Sequence, residues 1–253
     1  METELLTFIQ DALPYAIVGF AAQMIDGALG MAYGVTSTSL LLSSGISAAA
    51  ASASVHTAEV FTTGVSGLSH WKLGNVDKAL FKKLIIPGVL GGILGAYILS
   101  NVPGKIIKPF VAIYLCWMGM LIFYRALRNK PRSPSHTPLT RLGLAGGFFD
   151  AIGGGGWGPI VTSTLVANGN NPRYTIGSVN MSEFFVTFAE AATFYATIGL
   201  VHVHVIVGLI LGGVLAAPLG ALVCRKIPPR IMMFIVGLLI MALSIRTIVL
   251  SFI

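Results

Sequence analysis

The sequence predicts an all-α, polytopic membrane protein made of two inverted-topology repeats whose broken or re-entrant helices meet near the bilayer midplane. Three observations lead there. The chain is too apolar for a soluble domain, a hydrophobic segment is interrupted by GGGGWGP at Gly153 to Pro159, and the second half repeats the first in a steady register.

Of the 253 residues, 55% are hydrophobic and only 10% charged, against roughly 25% charged in soluble domains. Runs such as Leu84 to Leu99, Phe110 to Tyr124, Val203 to Val223 and Ile231 to Ser251 reach or approach the roughly 20 residues that span a bilayer. The opening METELL is acidic and lacks the basic start and cleavage site of a secretory signal, so the first hydrophobic segment is expected to be retained. A net charge of +7 would suit nucleic acid, but the Lys and Arg residues cluster in short loops between spans, where a cytoplasmic excess of positive charge explains them better. Cys116 and Cys224 show no metal spacing and read as inert buried thiols.

Taken in order, the segments fall at about 12–32, 34–47, 53–70, 83–100 and 105–127, then about 140–153, 158–168, 173–198, 202–224 and 230–251. The break is forced by composition, because glycine costs a helix roughly 1 and proline roughly 3 kcal/mol relative to alanine. Breaking a helix in lipid frees backbone groups that protein, water or a ligand must satisfy. The first half holds the counterpart. DGALGMAYGVTSTSLL from Asp26 aligns with DAIGGGGWGPIVTSTLV from Asp150, VHTAEVF with VNMSEFF, and LGAYILSNVPGKII with LGALVCRKIPPRIM, all at an offset near 124. One register throughout indicates duplication, and matched breaks in two halves point to a transporter binding site. The repeats are read as 1–128 and 138–253, joined by the Pro- and Ser-rich linker 129–137.

Charge gives the orientation. Lys72, Lys78, Lys82 and Lys83, and the linker region with Arg125, Arg128, Lys130, Arg132 and Arg141, are expected to be cytoplasmic. The second-half loop matching the first of these, IGLVHVH, has no Lys or Arg, whereas Arg225, Lys226 and Arg230 follow the next span. Matching loops of opposite bias imply that the halves insert upside down relative to each other, with both termini outside. Lys105 and Lys108 dissent from this scheme.

Five of the nine carboxylates, Asp26, Glu59, Asp150, Glu183 and Glu190, fall within apolar segments without a Lys or Arg at matching depth. Intramembrane acids mark proton or substrate pathways by default, so these five are the candidate proton-coupling residues. Asp26 and Asp150 stand just ahead of the glycine turns, where a carboxylate can also cap freed N–H groups. Glu59 and Glu183 occupy equivalent positions, each with a threonine four residues on, and Glu190 lies two turns beyond Glu183.

His56, three residues before Glu59, matches Asn180 in the other half; it either packs as a satisfied polar residue or acts directly on substrate or proton. His202 and His204 lack further ligands and read as interfacial residues rather than a metal site. No cofactor, metal or nucleic-acid partner is expected. Thr36, Ser37, Thr162 and Ser163 follow the breaks at helix starts, where unpaired N–H donors favour an anion, unless their hydroxyls bond back to the preceding turn. Backbone N–H groups near Gly30 to Gly34 and at Gly154, Gly155, Gly156 and Gly158 complete the candidate binding set. Trp157 either walls the cavity or packs.

With these residues in view the chain resembles the sulfite exporter TauE/SafE family. The resemblance rests on GGGGWGP, GSVN at Gly177 to Asn180 with its partner ASVH at Ala53 to His56, WKLGNVD at Trp71 to Asp77, and the GxLGA stretch at Gly92 to Ala96. It covers nearly the whole chain. It implies transport of small sulfur-containing anions such as sulfite, sulfonates or sulfoacetate across a bacterial plasma (inner) membrane. The first half carries GALGMAYG where the family often has a second glycine-rich, proline-containing break, which leaves the symmetry of the site open.

The expected function is therefore secondary active transport of a small sulfur oxyanion. Ionised acids beside the site would repel that anion, so uptake of a proton with it follows. A passive anion channel and a sodium-coupled transporter of another small solute stay open as alternatives, and a homodimer stays open beside a monomer. An enzyme is not expected, since no nucleophile with a base, metal cluster or phosphate loop has adequate spacing.

Overall fold

A computed structural model describes residues 2–127, 137–223 and 229–251. Most of the linker, together with Cys224, Arg225 and Lys226, lies outside the described residues. The described residues form α1 (Glu2–Leu29), α2 (Tyr33–Ser43), α3 (Ala48–Lys72), α4 (Lys78–Asn101), α5 (Gly104–Leu127), α6 (Leu139–Gly153), a π-helical turn (Gly158–Thr162) running into α7 (Ser163–Ala167), α8 (Pro172–Ile198), α9 (Val203–Val223) and α10 (Pro229–Ser251).

The expected segments match these helices within a few residues at most ends, and the exceptions have local causes. α1 starts ten residues ahead of the expected position, because TELLTFIQDAL contains nothing that breaks a helix before Pro14. Gly30 and Ala32, both left-handed (φ 64° and 100°), stop it at Leu29. α3 begins at Ala48 rather than near 53, because the Ser47 hydroxyl caps the Ala50 N–H at 3.3 Å and an alanine run follows. α4 begins at Lys78 rather than near 83 because Asp77 accepts from the Ala79 and Leu80 N–H groups at 2.8 and 3.2 Å.

The molecule buries polar groups and exposes apolar ones, as a bilayer protein must. Ile86, Leu90, Phe110, Trp117, Leu211 and Leu215 are all more than half exposed, whereas Ser54, His56, Thr62, Asn180, Ser182 and Glu190 are fully buried. Among the described residues four helical stretches are long and apolar enough to span a membrane: Leu6–Gly27, Lys78–Asn101, Gly104–Leu127 and Met233–Ser251. α3 and α8 carry the polar residues and pack on each other at the centre, covered by α9 on one side and α4 on the other. α2, at 11 residues, is only about 16 Å long and α6, at 15 residues, about 22 Å. Neither spans a hydrocarbon core of about 30 Å.

Two small-residue seams join helices in pairs, α6 to α4 and α9 to α1. Gly143 and Gly147 of α6 face Pro87, Gly88 and Gly92 of α4, and Gly208 and Gly212 of α9 lie against Ala12 and Ala16 of α1. Lipid offers apolar surface as good as leucine, so close backbone approach at small residues is what makes such contacts favourable. A Cβ on Gly147 would collide with the Gly88 carbonyl oxygen, and one on Gly212 with that of Ala16. Gly147→Leu and Gly212→Leu are each expected to destabilise the protein by about 3 kcal/mol or more, beyond the usual cost of overpacking. Thermal aggregation in detergent followed by size-exclusion chromatography checks this; unchanged curves for both would contradict the packing.

Candidate functional site

The two helix breaks abut at the centre of the molecule. In the second, Gly154 and Gly155 take φ values of 65° and 140°, and the turn closes on Asp150. Its carbonyl accepts the Gly155 N–H at 2.9 Å, and its Oδ1 accepts the Gly156 and Trp157 N–H groups at 2.6 and 2.9 Å. The first break repeats the device more loosely. The Asp26 carbonyl accepts the Gly30 N–H at 2.6 Å, and Asp26 Oδ1 receives the Tyr33 N–H at 3.4 Å. Both aspartates therefore cap the groups their breaks release. After the second break Pro159, which has no N–H to give, lies in the five-residue π turn.

Contact between the breaks is backbone to backbone. A Cβ on Gly34 would meet the Gly155 Cα, one on Gly155 would meet the Val35 nitrogen, and one on Gly158 would meet the Gly30 oxygen. Two hydroxyls cross the junction in opposite directions. Thr162 Oγ1 donates to the Gly30 carbonyl at 2.9 Å, and Thr38 Oγ1 donates to the Gly154 carbonyl.

Beside this junction lie the five buried acids and His56. His56 Nε2 is 2.9 Å from Glu190 Oε2, 3.6 Å from Asp150 Oδ2 and 3.8 Å from Glu59 Oε2. Glu183 is within electrostatic reach of Asp26, Glu59, Asp150 and Glu190. Glu59 approaches the first break, its Oε1 lying 3.0 Å from where a Gly34 Cβ would stand. One carboxylate oxygen on each of Glu59, Asp150 and Glu183, and both on Glu190, have no hydrogen-bond partner.

The remaining candidates separate into two groups. The Thr36 and Ser37 hydroxyls are buried at the start of α2 without a hydrogen-bond partner. Ser163 instead bonds back to the Pro159 carbonyl. The Trp157 indole points away from the junction, donating to the Val179 carbonyl at 3.2 Å and filling the space over Gly88 and Gly146. Asn180 donates to Ser66 Oγ at 3.2 Å. Ser66 lies ten residues along α3 from His56, about 15 Å away, so Asn180 and His56 sit at separate crossings of α3 and α8. Thr63 and Thr187 bond to the carbonyls of Glu59 and Glu183, not to their carboxyls.

Sequence reasoning missed three residues here. Ser52 bridges His56 to the second break, Tyr114 lies against Gly153 and Gly156, and Gln23 is fully buried with neither amide atom partnered. Gln23 was visible as a polar residue three positions before Asp26 in an apolar segment. Ser52 and Tyr114 carried no signal, since their partners lie far away in the chain.

An apolar shell around buried carboxyls and paired helix breaks defines a polytopic membrane transporter. The chain belongs to the sulfite exporter TauE/SafE family, whose profile matches residues 15–247. It is 45% identical over 245 residues to the probable membrane transporter protein YtnM of Bacillus subtilis (strain 168), across 93% of this chain and 82% of that one. No solved structure matches it.

Proposed function

We propose that this protein is a proton-coupled secondary transporter of a small sulfur oxyanion of the sulfite, sulfonate or sulfoacetate class, working in a bacterial plasma membrane. The observation that carries the reading is the junction of two unwound backbones beside five buried carboxyls, four of which keep at least one oxygen without a hydrogen-bond partner. The start of α2 turns its N–H end toward it, and Thr36 and Ser37 add hydroxyls without a hydrogen-bond partner. An anion entering there meets acids that repel it unless a proton arrives too, which links the two fluxes.

Packing supports reading the chain as two inverted repeats, 1–128 and 138–253. At an offset near 124, α6 corresponds to α1 and α9 to α4, and the pairs exchange partners: α1 packs on α9 as α6 packs on α4. α3 pairs with α8 and α5 with α10, each a helix with its own counterpart. The loop after α3 and the start of α8 share a face, since Arg173 donates to the Asn75 side chain and to the Leu73 carbonyl at 2.5 and 3.2 Å. That face carries exposed Lys72, Lys78, Lys82 and Lys83, and we assign it to the cytoplasm.

Proteoliposomes test the function. Sulfite, sulfoacetate or thiosulfate is expected to accumulate against its own gradient when a pH gradient is imposed, and to stop when an ionophore collapses it. Flux that only equalises concentrations would make the protein a channel; accumulation that follows sodium and ignores pH would move the coupling to sodium.

A further inference from the structure

The hydrogen bonds of His56 define one exchangeable position, and a second, neutral crossing shows by contrast what is distinctive about it. His56 Nδ1 lies 2.7 Å from the Ser52 carbonyl oxygen. A carbonyl can only accept, so Nδ1 carries a proton. Ser52 Oγ, 3.1 Å from the same nitrogen, spends its own proton on the Ala151 carbonyl at 2.6 Å and is left to accept as well. Both contacts assign the same tautomer, which turns Nε2 toward Glu190, Asp150 and Glu59. A bare Nε2 lone pair facing a carboxylate oxygen at 2.9 Å is repulsive. Something positive must sit between them.

We propose that one proton is held between His56 Nε2 and Glu190, and that its arrival and departure are passed to the GGGG break through Asp150 and Ser52. The exchange is a plain proton transfer: the Nε2–H bond breaks as an O–H bond forms on Glu190, and the proton then leaves to water. Asp150 is placed to transmit the change, because its Oδ2 is 3.6 Å from Nε2 while its Oδ1 holds the Gly156 and Trp157 N–H groups. Ser52 ties the imidazole to the Ala151 carbonyl in the last turn of α6. The groups facing the proton are Glu59 on its own helix, Asp150 from α6 and Glu190 from α8. Asp26 from α1 and Glu183 from α8 act on Glu59, Tyr33 from α2 faces Glu59 and Asp26, and Tyr114 from α5 faces Asp150.

The counterpart crossing is built from uncharged groups. At the offset of the duplication His56 corresponds to Asn180 and Glu190 to Ser66, and Asn180 Nδ2 donates to Ser66 Oγ at 3.2 Å. The same place in the two repeats thus holds a titrating pair once and a non-titrating pair once. The duplication therefore does not repeat the His56–Glu190 pair at its counterpart crossing.

The chemistry of this site stands on geometry; its coupling role rests on the transporter reading, and the experiment separates the two. Full-length protein with 15N-labelled histidine rings in lipid nanodiscs is titrated by NMR over about pH 5 to 8, the range in which histidine changes charge. His56 signals are assigned by their loss in His56→Asn. Nδ1 is expected to stay an N–H throughout, while Nε2 gains and loses a proton with a midpoint that moves by about one unit in Glu190→Gln. A bare Nδ1, an Nε2 signal indifferent to pH, or stoichiometric metal in the purified protein would each overturn the proton site.

In proteoliposomes Glu190→Gln is expected to lower pH-driven sulfite accumulation by about tenfold or more, within the span of ordinary coupling energies, and to lower sulfite counterflow much less. Retained pH-driven accumulation in that variant would overturn the proposal and leave the transporter reading intact. Failure of the wild type to accumulate any probe would remove the transporter reading, and with it the coupling role, while the NMR result still decides the proton site. Ser52→Ala keeps the backbone carbonyl and so is expected to keep Nδ1 protonated, but it cuts the tie to Ala151 and is expected to move the Nε2 midpoint, with Ser52→Thr restoring it; an unchanged midpoint in Ser52→Ala would remove Ser52 as a positioning residue.

Discussion

Gly155→Ala is expected to abolish transport and to lower the thermal stability of the protein by roughly 2–6 kcal/mol. Two costs combine. At φ 140° the backbone occupies a region that residues with a Cβ enter at about 1–3 kcal/mol. The added carbon would also fall on the Val35 nitrogen and the Gly34 carbonyl carbon, which are backbone and cannot rotate aside, at roughly another 1–3 kcal/mol. The substitution pushes the two breaks apart at their point of contact. Gly45→Ala is the control: its φ is 97°, yet nothing lies within 4 Å of the new carbon, so strain alone remains and transport is expected to survive. Equal loss in both variants, in paired transport and melting measurements, would show that the contact between breaks is unimportant.

Asp150 is expected to split into two functions when substituted. Asp150→Ala leaves the buried Gly156 and Trp157 N–H groups without an acceptor, at about 1–3 kcal/mol each, and so is expected to cost roughly 2–6 kcal/mol and most of the folded yield. Asp150→Asn keeps an amide oxygen where Oδ1 stands and removes the charge facing His56. It is expected to fold in near wild-type yield and to lose pH-driven accumulation by about tenfold or more. Yield in detergent and accumulation in liposomes separate the two effects. If the asparagine variant is as unstable as the alanine variant, capping by oxygen is not what closes the turn.

The elements were legible because a bilayer simplifies the code. Apolar length marked the helices, and glycine and proline marked the breaks, to within a few residues. The start of α1 was missed because nothing in its polar opening breaks a helix, and the starts of α3 and α4 because the Ser47 and Asp77 caps lie outside the apolar stretches. The intramembrane acids and His56 were likewise visible, because every ionisable group at that depth stands out against its neighbours. What could not be read was pairing. Thr36 and Thr38 look alike in the sequence, yet one hydroxyl is unpartnered and the other spans 116 residues to reach Gly154. His56 and Asn180 align in the duplication, but their partners at the α3–α8 crossings, Glu190 and Ser66, differ in charge. Symmetry of sequence position therefore said nothing about symmetry of chemistry.

The two threonines that cross the junction tie the halves of the chain together. Each turn is fastened by a hydroxyl from the other half of the chain, so drawing the two breaks apart releases both bonds at once. Each such bond is worth only about 1 kcal/mol net. The latch is accordingly shared and light: it couples the two breaks at a cost that a single ordinary contact elsewhere could offset.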